Sequence, residues 1–193
     1  MRLPTDDELV ELAHLAEQGV HPREEMPFFV AWTDGIGKPG FVDDFVGFHR
    51  EARATLSPEY WHLLLGVWAG PELIGIQGAD ARGFVTRRTA ETGSWIGRRF
   101  QRQGHGTEMR AAILTFLFDG LDADVATSGA LEGNVASARV SEKLGYSRAG
   151  ENIAAPRGEP VSNRLFRLER ADWRPPVEVE IAGLEACLPL FGL

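Results

Sequence analysis

Ten consecutive residues, Arg98-Arg99-Phe100-Gln101-Arg102-Gln103-Gly104-His105-Gly106-Thr107, carry the strongest chemical signal in the chain. They follow a strand-like stretch and run directly into an amphipathic helical pattern. A helix N-terminus presents unpaired backbone N–H groups and a partial positive charge, so it attracts anions. Gly104 and Gly106 let the backbone approach a bulky ligand and take positive φ where a turn needs it. Arg98, Arg99, Arg102 and Arg110 against Glu108 give a local charge of +3 in a chain of net charge −8. The natural ligand for such a stretch is of pyrophosphate size.

Other phosphate and catalytic signatures do not fit. A dinucleotide fingerprint needs a third glycine where Met109 stands, and there is no Gly-Lys-Ser/Thr run for a P-loop. No Gly-x-Ser-x-Gly elbow exists for a serine hydrolase. The five histidines (14, 21, 49, 62 and 105) lack metal-ligand spacing, and the single cysteine, Cys187, can form neither an intrachain disulfide nor a zinc cluster. No metal is expected. An excess of 28 acidic over 20 basic residues argues against a general nucleic-acid binder.

The elements that must position this loop are legible from periodicity. Asp6–Gln18 reads as a helix with Thr5 as its cap, His21–Phe41 as a long structured loop, and Val42–Leu56 as a second helix. Trp61–Trp68 and Leu73–Ala79 form a hairpin around Gly70-Pro71-Glu72, and Thr92–Gly97 is a third strand. A helix at Thr107–Leu117, a strand at Asp124–Ser128, a helix at Ser137–Leu144 and strands at Tyr146–Asn152 and Val161–Leu168 follow. This order implies one mixed α/β (α+β) domain with antiparallel middle strands, not strict βαβ alternation. Residues 1–174 make up the domain. Residues 175–193, with Val177–Ile181 alternating like a strand and Leu184–Leu193 apolar, are expected to pack on it or at a subunit interface, so a homo-oligomer is expected. The longest apolar run, Ala111–Phe118, is too short to span a membrane, and Met1–Leu9 lacks a signal-peptide layout. A cytoplasmic protein is expected.

A second motif lies about thirty residues beyond the loop: Asn134-Val135-Ala136-Ser137, then Lys143-Leu144-Gly145-Tyr146. With Gln101-x-x-Gly104-x-Gly106, and with Glu91-Thr92-Gly93-Ser94-Trp95-Ile96 upstream, the chain resembles the GNAT (GCN5-related N-acetyltransferase) superfamily, RimJ/RimL-like branch. The stretches Gly97–Gly106 and Val125–Arg139 and the Leu-Phe-Gly ending are similar to a mycobacterial member that uses succinyl-CoA. Ser94 stands where the branch has tyrosine, and only Arg2-Leu3-Pro4 remains of its first strand. Either the start is internal or Val177–Ile181 takes that place at the sheet edge.

The resemblance implies an acyl-CoA co-substrate, acetyl-CoA or succinyl-CoA, in a cleft between two splayed parallel strands, Thr92–Gly97 and Asp124–Ser128. It places the pantetheine on backbone groups of Ile96 and Gly97 and the pyrophosphate on Gln101, Arg102, Gln103, Gly104, His105, Gly106 and Thr107. Backbone N–H groups near Trp95–Gly97 would polarise the carbonyl. Glu91 is the candidate base, directly or through water, and Asn134 and Ser137 are the candidates for stabilising the leaving thiolate. Tyr146 is assigned to core packing. Phe28, Phe29 and Trp32 would wall the acceptor side. With a succinyl donor, Arg82, Arg87, Arg88 or His21 would pair its carboxylate. The expected activity is N-acyl transfer to a primary amine: a protein N-terminus, a lysine or a small amine. The alternative is a non-catalytic acyl-CoA-binding module.

Overall fold

The computed structural model describes residues 1–193. Helix α1 (Asp6–Glu17) is started by a capping box: the Thr5 side chain accepts from the Glu8 N–H, and the Glu8 carboxylate accepts from the Thr5 N–H. Arg2 forks onto the same carboxylate and, with the Thr5 N–H, holds it at a pKa of about 2. Leu9, Leu12, Ala13, Leu15 and Ala16 form its buried stripe. Helix α2 (Phe41–Ala54) starts after Gly40 at φ +85° and buries Phe41, Phe45, Val46, His49 and Ala52. The two helices pack together on one face of the sheet.

That sheet has six strands: β1 (Tyr60–Ala69), β2 (Glu72–Arg82), β3 (Thr89–Ile96), β4 (Val125–Leu131), β5 (Ser147–Ala154) and β6 (Val161–Glu169). Their spatial order is β1-β2-β3-β4-β6-β5, and every pairing is antiparallel except β3 with β4. A parallel pair needs a crossover. Here it is supplied by α4 (His105–Thr115) and a π-helical turn at Phe116–Gly120, which cover the second face with the short α3 (Phe84–Arg87) and α5 (Val135–Lys143). The mixed fold with antiparallel middle strands thus stands as expected. The Arg-rich stretch between β2 and β3 contains α3, whose single turn buries Phe84 against Trp61.

Two expectations are corrected. First, α4 begins at His105, not Thr107, because Gly104 takes a left-handed conformation (φ +94°) and serves as its N-cap. Second, Val177–Ile181 forms no strand. A strand needs a free edge, and the edge of β1 is met instead by Arg2, which exchanges both backbone hydrogen bonds with Gly66 (3.2 and 2.9 Å). The chain end turns into a 3₁₀ segment, Glu185–Phe191, whose Phe191 ring stands edge-on to Trp61 (5.2 Å between centroids) and packs on Phe116 (5.9 Å).

Phe191 is buried in this contact. Truncation to alanine removes a large ring from a packed site, so Phe191→Ala is expected to cost about 3–5 kcal/mol in urea unfolding. A change near zero would show that the tail does not hold the sheet. His49 is buried against Phe45 with Nδ1 donating to the Phe45 carbonyl, and burial lowers its pKa from 6.5 to about 4. The unfolded chain therefore binds a proton that the folded chain refuses, and stability is expected to fall as pH drops from 6.5 towards 4. Melting curves over that window should flatten in His49→Asn.

Candidate active site

Strands β3 and β4 run side by side for only three rungs: Thr89, Ala90 and Glu91 opposite Val125, Ala126 and Thr127. Beyond Glu91 they part. Alternate residues of an antiparallel strand point their backbone groups to opposite edges. The Gly97 N–H reaches the Ile74 carbonyl on the β2 side, so the groups of Thr92, Ser94 and Ile96 point toward the opening. Ligands of parallel strands sit at the carboxyl ends, where helix N-termini converge. Here the N-termini of α4 and α5 both follow these ends, and Gly106 lies against Ile96 of β3 and Val140 of α5.

The loop before α4 is built for an anion. Arg102 (φ +61°) and Gly104 (φ +94°) both take left-handed conformations, which turn successive N–H groups toward one side. The five consecutive backbone N–H groups from Arg102 to Gly106 find no acceptor within the protein. The last two are the orphan donors of the first turn of α4, and the left-handed turns before it add three more to the same row. Arg102, Gln103, His105 and Thr107 line this row, the first two fully exposed and the last two half-buried. Gln101 does something else. Its Nε2 donates to the Val20 and Ile96 carbonyls (2.7 and 2.9 Å), fastening the loop to the end of α1 and to β3. Gly97 is equally committed: its N–H goes to Ile74 and its carbonyl accepts from Phe100. Of the two residues expected to hold pantetheine through backbone groups, only Ile96 keeps its N–H directed at the opening.

The Asn134 side chain is engaged at both ends. Its Oδ1 accepts from the Ser137 N–H (3.1 Å), capping α5, and its Nδ2 donates to the Pro27 carbonyl (3.2 Å). It fastens the 21–41 loop to α5 while one of its two amide N–H groups stays uncommitted. The Ser137 hydroxyl, half-buried on the first turn of α5, has no partner in the protein.

On the α1/α2 face a row of polar side chains crosses the sheet in register: His62, Asp80, Glu91, Thr127 and Arg167. Glu91 and Asp80 are direct cross-strand neighbours with no cation within ion-pair distance. Burial raises the pKa of the Glu91 carboxyl, Asp80 repels its charge and raises it further, and Arg110 opposes. Burial likewise raises Asp80, against Arg82. On the same face the 21–41 loop covers the Trp95 end of β3, while Glu91 stays exposed. Trp32 packs among Phe28, Phe45 and Trp95, Phe29 sits over Gly129 of β4, and Arg157 from the β5–β6 turn forks onto Asp34. The three aromatics named from the sequence thus gather on this face, and an ion pair ties their loop down.

Tyr146 is buried, as expected of a packing residue, and shares a hydrogen bond with the Thr92 hydroxyl at 3.2 Å. The cations expected for an acyl carboxylate lie elsewhere. Arg82 stacks 4.1 Å over Tyr60, Arg88 donates to the Leu121 carbonyl, Arg87 is exposed on α3, and both His21 nitrogens are occupied by Thr33 and the Pro22 carbonyl. One residue was missed. Arg110, counted in the sequence only as part of a local charge, is 3% exposed, with its Nη1 on Ser128 Oγ (3.0 Å) and its Nη2 3.4 Å from Ser94 Oγ. It thus reaches across the parted strands from the α4 side. The signal for it was its place on the apolar face of an otherwise hydrophobic helix.

The site thus brings together two parted parallel strands, an anion-ready loop and a pair of neighbouring carboxyls. A family model described as Acetyltransferase (GNAT) domain matches residues 4–147, and the chain belongs to that family. Among solved structures it resembles RimL, a ribosomal L7/L12 alpha-N-protein acetyltransferase in complex with coenzyme A (13% identity, TM-score 0.70, 87% of this chain and 92% of that one). It also resembles a spermidine N-acetyltransferase mutant from Vibrio cholerae (15%, 0.64, 88% and 94%). A third is YncA from Salmonella typhimurium with acetyl-CoA (15%, 0.64, 91% and 96%). The mostly antiparallel sheet with one parallel pair is the fold they share.

Carboxyl ¹³C NMR titration tests the electrostatics. The Glu91 midpoint is expected above that of an ordinary glutamate, so the carboxylate form appears only at higher pH. Asp80→Asn should move it downward by removing a like charge. An unmoved midpoint would show that Asp80 does not act on Glu91.

Proposed function

We propose that this protein is an N-acyltransferase that moves an acyl group, acetyl or succinyl, from acyl-CoA to a primary amine by direct attack in a ternary complex. The observation that carries this reading is the row of five unpartnered N–H groups, Arg102 to Gly106, at the mouth of the parted strands. They suit the pyrophosphate of coenzyme A, with the Arg102, Gln103, His105 and Thr107 side chains beside it and Gln101 holding the loop in place.

The chemistry asked of the chain is modest, because a thioester is already activated and alignment can supply much of the rate. In this reading the pantetheine lies along the β3 edge. The Ile96 N–H donates to the thioester oxygen as charge develops there. Glu91 takes the ammonium proton, directly or through a water, and a carboxyl with a raised pKa is a better base than an ordinary one. The amine nitrogen then bonds to the carbonyl carbon and the C–S bond breaks; the Ser137 hydroxyl hydrogen-bonds the departing thiolate, which takes the remaining proton from the new amide nitrogen and leaves as the CoA thiol. The acceptor enters from the α1/α2 face, over Trp95 and Glu91. We further propose a cytoplasmic setting and a homo-oligomer. The protein N-terminus and spermidine named for the similar structures frame the acceptor class as a primary amine.

Thermal melts with CoA, acetyl-CoA, succinyl-CoA and ATP test the reading. A ligand at about 100 times its Kd adds roughly 2.7 kcal/mol, a rise of roughly 5–11 °C for a chain of this size. The CoA compounds are expected to raise the melting temperature and ATP to leave it unmoved. Gly104→Val, which forces a β-branched residue into a left-handed position, should abolish the rise. No rise with any CoA compound would overturn the proposal. A rise without thiol release on any amine would leave an acyl-CoA-binding module.

A further inference from the structure

Arg110 poses an energetic problem that the fold alone does not solve. A guanidinium stays charged at every accessible pH and carries five N–H donors. In this protein it is 3% exposed, and no carboxylate lies within ion-pair distance. Its donors reach only neutral hydroxyls, those of Ser94, Ser128 and Tyr146, and the buried Nε has no acceptor at all. Thr92, which meets Tyr146, is neutral too, and Glu91 acts on it only at range, from the opposite face of the sheet. Burying a lone cation costs several kcal/mol, and apolar residues in its place are as stable or more so. Its two serine partners belong to the two strands that part, so the guanidinium sits across the opening itself.

We propose that Arg110 is an anion receptor for the acyl group, and that the donor is a short dicarboxylic acyl thioester of the succinyl-CoA class. This rests on the acyl-CoA reading above. The free donors form a planar fork that includes Nε, and a fork matches two carboxylate oxygens rather than a single sulfur. Ser94 and Ser128 hold the guanidinium in the plane of the opening, and a carboxylate arriving there supplies both the missing charge and the missing acceptor. An acetyl group offers neither.

Binding and turnover with CoA, butyryl-CoA and succinyl-CoA decide the matter, since butyryl has the same carbon count without the charge. The protein is expected to bind succinyl-CoA roughly ten- to a hundredfold more tightly than butyryl-CoA, the range for hydrogen bonds to a charged partner. Arg110→Met should erase that preference while CoA still binds, and Arg110→Lys should keep part of it. Without ligand, Arg110→Met is expected to melt no lower than the parent, because it removes an uncompensated buried charge; this separates lost recognition from lost folding. Equal affinity of the parent for the two thioesters overturns the proposal. So does a preference that survives in Arg110→Met, or an equal fall in kcat with both thioesters, which would make Arg110 a stabiliser of the leaving thiolate. Failure of all three compounds to bind the parent would instead bring down the acyl-CoA reading itself.

Discussion

Everything distinctive about this molecule follows from a parallel ladder that stops after three rungs. Antiparallel strands on both sides hold β3 and β4 in the sheet, through β2 and β6 respectively, while the pair between them ends at Glu91 and Thr127. Past that point the main-chain groups of Thr92, Ser94 and Ile96 have no strand to meet. A sheet interior normally forbids unmet groups, since each costs as much as a lost hydrogen bond. The chain tolerates them by surrounding the gap with polar side chains. The Thr92 hydroxyl donates to the Thr127 carbonyl and lies within hydrogen-bond distance of the Tyr146 hydroxyl, and Arg110 touches a serine on each strand. Because the two strands are parallel, the helices that follow them both begin at the same end. Two helix N-termini therefore point at one opening.

The two sides of that opening differ electrically. On the α4 side stand a buried arginine and a row of backbone N–H groups, a concentration of positive charge in a chain whose net charge is −8. On the α1/α2 side stand two neighbouring carboxyls, Asp80 and Glu91, with an aromatic roof over the Trp95 end of the same strand. The roof is not free to drift, because Asn134 ties it to α5 and Arg157 ties it to the β5–β6 turn. That face is consequently shaped by residues far apart in the chain.

Much of this was legible in the residues. The helices and strands appeared within a few positions of their true limits, because amphipathic periodicity is a local property that burial merely ratifies. The 98–107 loop was legible for the same reason: its glycines, its arginines and the helix it opens are contiguous. What escaped was nonlocal. The alternation at Val177–Ile181 looked like a strand, but pairing needs an edge, and Arg2 meets that edge. The tie that Asn134 makes between the 21–41 loop and α5 was equally invisible, because Pro27 lies 107 residues away in the chain.

Arg110 marks the boundary most sharply. In the sequence its one distinguishing mark was a place on the apolar face of its helix, and only the approach of Ser94 and Ser128 from two strands makes it a buried, unneutralised cation. The sequence alone determined the elements, the mixed sheet and the anion-ready loop, all of which rest on residues close together in the chain. The tertiary structure alone decided where the ladder ends, which carboxyls are crowded into each other's fields and which arginine is denied a partner. Those properties depend on desolvation and on Coulomb interactions between residues far apart in sequence, and neither exists until the strands have paired.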